Sequence, residues 1–140
     1  MQTLILNGPN LNLLGKRDVS HYGSQTLDEL NKSLTQEAKK LALSVEFFQS
    51  NIEGELVTKI QNFNGGAIII NAGAYTHYSI AIRDALADKK CLKVEVHLSN
   101  IMAREEFRKM SVLSEVCDGI ISGFGADSYV LAMQYAVRKK

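Results

Sequence analysis

The chain of 140 residues is 46% hydrophobic and 22% charged, the balance of an ordinary globular domain with enough length for one sizeable core, so a single domain over 1–140 is expected. Lys and Arg total 16 against 15 for Asp and Glu, a formal net charge of +1, which excludes a long-range pull on nucleic acid or an anionic membrane; neither is expected as a partner. The opening MQTLILNGPN offers only a short apolar run before polar turn formers, too little for a signal peptide or a membrane span. Cys91 and Cys117 form no CxxC pair, which fits two small buried hydrophobes in a reducing, cytoplasmic setting.

In chain order, Leu4-Ile5-Leu6 predicts a first strand, followed by a long loop, NGPNLNLLGKRDVSHYG, which holds the single proline, Pro9. A loop of that length in a compact domain implies a binding or lid role. Thr26-Leu27-Asp28-Glu29 is a capping box, and Leu27, Leu30, Leu34, Ala38 and Leu41 then recur at steps of three and four, predicting an amphipathic helix. A second strand follows at Val45 to Phe48 and a helix over Glu53 to Phe63. The third strand is Ala67 to Ile70, with a helix predicted from Thr76, as N-cap, to Ala87. The fourth strand spans Val94 to Leu98, with a short turn around Glu105 to Lys109. Gly119 to Ile121 is the fifth, a tight turn at Gly123 and Gly125 follows, and Asp127 to Arg138 is the last helix. Strands that alternate with helices imply right-handed crossovers and a parallel sheet covered on both faces. The fold class expected is α/β: a flavodoxin-like, doubly wound, five-stranded parallel sheet in three α/β/α layers.

Ligands of such sheets bind beyond the carboxyl ends of the strands. The first strand is followed there by Asn7, Gly8, Pro9 and Asn10, with Arg17 and Tyr22 farther along the loop; the third by Asn71 to His77; the fourth by Ser99, Asn100, Arg104 and Arg108. Within the fourth strand a period of two sets Lys93, Glu95 and His97 on one side, where a doubly buried strand should be apolar. Taken alone, the pair reads first as a core histidine hydrogen-bonded to a carboxylate, but the polar strand ends around it favour a functional pair in which Glu95 orients the His97 imidazole for general acid work. His77, in the first turn of its helix, is either a hydrogen-bonding group for a ligand or a surface residue. Asp84, seven residues on, lies too far along the helix for one ligand to touch both within one chain, which suggests a subunit contact on that face.

Other chemistries find no support in the motifs. There is no HExxH and no Cys/His cluster for a metal, no GxGxxG spacing, and no G-x-S-x-G elbow. A phospho-receiver of this fold would want aspartate where Asn71 stands. Acid–base chemistry remains, with His97 beside Glu95 and a tyrosine near an arginine. Tyr22 can act as a base only if a cation such as Arg17 pulls its phenol far below the reference value of about 10, and closure of the loop over the site would bring the two together and exclude water.

The segments LILNGPNLNLLGKRDVSHYG, QSNIEGELV, NAGAYTHYSIAIRDAL, VEVHLSNIMAREEFR and GIISGFGADSYVLA closely resemble, in order over nearly the whole chain, type II 3-dehydroquinate dehydratase. The resemblance implies a flavodoxin-like hydro-lyase without cofactor or metal. It implies anti elimination of water from 3-dehydroquinate to 3-dehydroshikimate through an enolate, in the shikimate pathway that leads to the aromatic amino acids. By position it implies Tyr22 as proton acceptor, Arg17 as the residue that lowers that tyrosine's pKa, and Asn10 as the amide that helps hold the enolate through water. It implies His97 as proton donor with Glu95 behind it, and Asn71, His77, Leu98, Ser99 and Arg108 as substrate ligands, the substrate carboxylate meeting the backbone amides around Leu98 and Ser99. Asp84 would reach a neighbouring subunit's site, in a homododecamer assembled from trimers.

Two positions depart from the family pattern. Ala72 stands where proline is usual in NPGAYTH, and Lys109-Met110 replaces the more frequent basic or histidine-rich pair after Arg108; effects are expected on loop rigidity or packing and not on reaction type. Two rivals stay open on the sequence alone: another cofactor-free dehydratase or isomerase of a cyclic hydroxy acid, and a non-catalytic flavodoxin-like module that binds a flavin or a protein partner.

Overall fold

The structure, a computed structural model, describes residues 1–16, 20 and 23–139. Five parallel strands, β1 (Gln2–Asn7), β2 (Ser44–Gln49), β3 (Ala67–Asn71), β4 (Leu92–His97) and β5 (Gly119–Ser122), lie in the order β2-β1-β3-β4-β5. Among the described residues four α-helices cover them: α1 (Leu27–Lys40), α2 (Glu53–Asn62), α3 (Ile80–Ala87) and α4 (Asp127–Arg138). This is the flavodoxin-like α/β/α sandwich the alternation predicts.

The period of two in the strands sorts the core into two layers. Ile5, Ile69, Val94 and Val96 face α1 and α4 and pack with Leu30, Leu34, Tyr129 and Met133. Leu4, Leu6, Ile68 and Ile70 face α2 and α3 and pack with Leu56, Ile60, Ile82 and Leu86. Cys91 and Cys117 pack against this second layer but are half-buried, less enclosed than their sequence context suggests, each standing just before the first residues of its strand, β4 and β5. Burial pushes the Cys117 thiol up to about 12, so it is not an ionised nucleophile at neutral pH.

The capping box of α1 forms as its sequence predicts: the Thr26 hydroxyl accepts from the Glu29 amide at 3.2 Å. The start of α3 is different. Thr76 is no N-cap; Gly73–His77 is a 3-10 turn, and Ser79 begins the helix by accepting from the Ile82 amide at 3.0 Å. Thr76 is fully buried in that turn and its carbonyl accepts from Val112, while Ser79, three residues on, has the hydroxyl in capping position. His77 therefore sits before the helix, and its spacing to Asp84 is not a helical one.

The order of strands reverses between β1 and β3, whose last residues Asn7 and Asn71 are register partners. The loops that leave them touch. A Cβ on Gly8 would lie 2.4 Å from the Ala72 carbonyl oxygen, and one on Gly73, at φ +58°, 2.9 Å from that of Pro9, so both glycines are required by the approach. No described helix is long and apolar enough to cross a membrane.

Candidate active site

A cavity of about 140 Å³ opens at this switch point. The loop after β1 lines it with Pro9 and Asn10, the end of β3 with Asn71, Gly73 and His77, and the end of β4 with His97, Leu98, Ser99, Arg104 and Arg108. Leu11, Leu14 and Ile101 supply apolar wall. Seven residues singled out from the sequence, Asn10, Asn71, His77, His97, Leu98, Ser99 and Arg108, thus converge on one space.

Glu95 lies behind His97 and does not reach the cavity. It faces the α2 and α3 layer, opposite Val94 and Val96, and is completely buried. Its Oε2 accepts from Nε2 of His97 at 2.6 Å, and its Oε1 accepts from the hydroxyls of Ser111 at 2.7 Å and Ser114 at 2.9 Å. Burial alone would push this carboxyl up; the hydrogen bonds from His97, Ser111 and Ser114 outweigh it and hold the group below the usual carboxylate value. The carboxylate is therefore ionised, fully satisfied and rigid. With Nε2 committed to it, Nδ1 is the nitrogen that His97 has for a ligand.

Asn10 is held in the left-handed region at φ +69°, a conformation costly for a residue with a side chain. Its backbone N–H donates to Oδ1 of Asn51 at 3.0 Å, and the Gln49 side-chain amide donates to both Asn51 Oδ1 and the Gly8 carbonyl at 3.1 Å. The end of β2 thus clamps the turn that aims Asn10. Neither Gln49 nor Asn51 touches the cavity, and no periodic pattern marks either of them in the sequence.

The segment after β4 is fixed through its carbonyls. His97 accepts from the Gly123 amide at 3.2 Å, Leu98 from the Gly125 amide at 2.9 Å, and Ser99 from the Ser122 hydroxyl at 3.0 Å. The two glycines take φ +101° and +58°, and a Cβ on Gly123 would press on Asn100 Cβ at 3.2 Å. That is the tight turn expected at GFG. Arg108 donates from Nε to Glu105 at 2.9 Å, and Arg104 Nε stands 3.9 Å from the same oxygen. The Glu105 carboxyl is held low first by its own backbone amide and then, against the opposing effect of burial, by Arg108 and Arg104. Arg104 is the lining cation that sequence reasoning left unassigned, although it stands four residues before Arg108.

His77 Nδ1 lies 2.6 Å from the Met110 carbonyl oxygen, which can only accept, so Nδ1 carries the proton. Asp84 is on α3 with its side chain 66% exposed and does not line the cavity of its own chain. Arg17 and Tyr22 lie outside the described residues. Flanking that segment, Gly15 and Gly23 have φ +79° and +77°, and a Cβ on Gly15 would lie 2.7 Å from the Ser24 carbonyl oxygen. Gly15 and Ser24 therefore lie side by side, just past the cavity wall formed by Leu11, Leu13 and Leu14.

The arrangement combines a histidine backed by a buried carboxylate, two guanidinium groups and several amides, a set able to bind an oxygen-rich anion and move protons on it. The family model described as Dehydroquinase class II matches residues 1–137. The chain is 55% identical over 139 residues to the 3-dehydroquinate dehydratase of Thermotoga neapolitana, covering 99% of this chain and 95% of that one. It is also 55% identical over 136 residues to that of Prochlorococcus marinus strain NATL1A, covering 96% and 94%. The crystal structure of type II dehydroquinase from Butyrivibrio crossotus superposes with a TM-score of 0.95 at 47% identity, over 97% of each chain. With the match spanning all five strands and the loops that line the cavity, the chain belongs to the type II 3-dehydroquinate dehydratases, hydro-lyases of the shikimate pathway.

Proposed function

We propose that the cavity dehydrates 3-dehydroquinate by acid–base chemistry shared between Tyr22 and His97, in one catalytic domain spanning the chain. Tyr22, as phenolate beside Arg17, takes the proton from the carbon next to the ketone. The electron pair left behind forms the enolate, whose oxygen Asn10 helps to hold. When the pair returns, the carbon–oxygen bond on the opposite face breaks, and the hydroxyl leaves as water with a proton from Nδ1 of His97. Asn71, His77, Ser99 and Arg108 orient the ring, the amides around Leu98 and Ser99 receive the carboxylate, and solvent exchange restores both protonation states. Asn10 is held at a costly φ beside this space, and Glu95 leaves His97 a single nitrogen for the ligand; that last relationship is the observation that carries the reading.

Asp84 acts on a neighbouring copy's site. Its exposure fits that role, as do the exposed apolar side chains of Tyr78, Ile80, Met102, Phe107 and Met110 on the elements that surround His77 and Arg108, which contact with a second copy would bury. The assembly proposed is a homododecamer of trimers, located in the cytoplasm. Incubating the protein with 3-dehydroquinate tests the reaction. Absorbance of the conjugated enone should rise, and should do so equally after treatment with borohydride in the presence of substrate, since no lysine forms a Schiff base. A folded sample that gives no such absorbance contradicts the assignment.

A further inference from the structure

We propose that Tyr129, on α4 and out of reach of any ligand, is a positioning residue that fixes the amide of Asn71 so that it meets the substrate as a hydrogen-bond donor. The inference rests on the reading of Asn71 as a substrate ligand and goes beyond it by assigning its polarity.

The direction of every hydrogen bond follows from one fixed point. The backbone N–H of Gly73 can only donate, and it lies 3.2 Å from Oδ1 of Asn71. The oxygen of that amide is thereby identified, and its Nδ2 faces the Tyr129 hydroxyl at 3.0 Å. An amide nitrogen can only donate, so the phenol accepts from it and turns its own hydrogen to Oδ1 of Asn7 at 2.6 Å. The chain runs one way, from Gly73 through Asn71 and Tyr129 to Asn7, and joins the ends of β3 and β1 across α4. Tyr129 is fully buried, with Asn7 at 1% and Asn71 at 5% exposure. Burial also pushes the phenol above its ordinary range, so the hydrogen on which the direction depends stays in place.

Of the two Nδ2 hydrogens of Asn71, one is committed to Tyr129 and the other is left for a ligand in the cavity that Asn71 lines. The group recognised there is an acceptor oxygen. Without the phenol the amide loses its only described partner for Nδ2 and is free to turn about its Cβ–Cγ bond.

Y129F, assayed with 3-dehydroquinate, tests this. KM should rise by about tenfold, the effect of one hydrogen bond, with kcat within about twofold of wild type. In an Asn71→Ala background the same change should add less than about twofold to KM, because the two act as one unit. A merely structural tyrosine would instead lower the melting temperature and the active fraction at unchanged KM; unchanged KM in folded Y129F, or effects that simply multiply, would overturn the inference. If Y129F does not fold, Asn7→Leu carries the test from the other end: it frees the phenol hydrogen to swing against Nδ2, and KM should rise likewise; unchanged KM would overturn the proposal. Wild-type protein without turnover would overturn the functional reading and this inference with it, whereas turnover with unchanged KM in the variants would overturn this inference alone.

Discussion

Glu95 holds the imidazole of His97 at 2.6 Å from inside the protein, two residues back on the same face of β4. A completely buried carboxylate is costly unless every lone pair is used, and here Ser111 and Ser114 satisfy the oxygen that His97 does not. Glu95→Gln keeps the shape but removes the charge that supports an imidazolium. A hydrogen bond to a charged group contributes about 1.5–3 kcal/mol, so kcat should fall by roughly tenfold to a hundredfold with KM little changed. Steady-state kinetics of the purified variant checks this; an unaltered kcat would make the pair purely structural.

The same carboxyl makes stability depend on pH. Its value in the folded chain lies below the ordinary 4.5, so its contribution is fully present above pH 4.5 and is lost as pH falls through the depressed value. Acid unfolding followed by circular dichroism should show wild type losing stability in that window more steeply than Glu95→Gln. Equal slopes would mean that the buried network adds nothing to the native state.

Ala72 has φ −78° and is 1% exposed, and none of the described loop hydrogen bonds uses its N–H. Those are the conditions that proline meets, and the preceding Asn71 is in extended conformation as a residue before proline should be. Ala72→Pro should therefore stabilise by about 0.4–1 kcal/mol through the unfolded chain, raising the melting temperature by roughly 1–4 °C. A calorimetric scan decides; a lower melting temperature would show that the ring collides with the loop after β1.

How far the sequence reached depended on whether a feature was periodic. Strands and helices announced themselves through runs at steps of two or of three and four, and the carboxyl-end rule then gathered Asn10, Asn71, His97 and Arg108 at one edge of the sheet. What it could not reach was set by contacts between distant segments. Ser79 displaced Thr76 as the cap because Thr76 is taken into a buried turn with Val112, and nothing local to Thr76 signals that. Asn51 holds Asn10 across 41 residues, and Tyr129 holds Asn7 across 122; each looks in sequence like an ordinary loop amide or core aromatic. Glu95 was legible because a charge at an inward position of a buried strand breaks the apolar pattern.

The proposed reaction divides its labour between Tyr22 as base and the cavity as binding site. Tyr22→Phe removes the proposed proton acceptor and leaves the proposed substrate ligands in place. Turnover of 3-dehydroquinate should drop by about 10²–10⁴-fold, while its affinity, measured by isothermal titration calorimetry, stays within about threefold of wild type. A variant that still turns over, or one that loses binding along with turnover, would contradict the assignment of Tyr22 as the base.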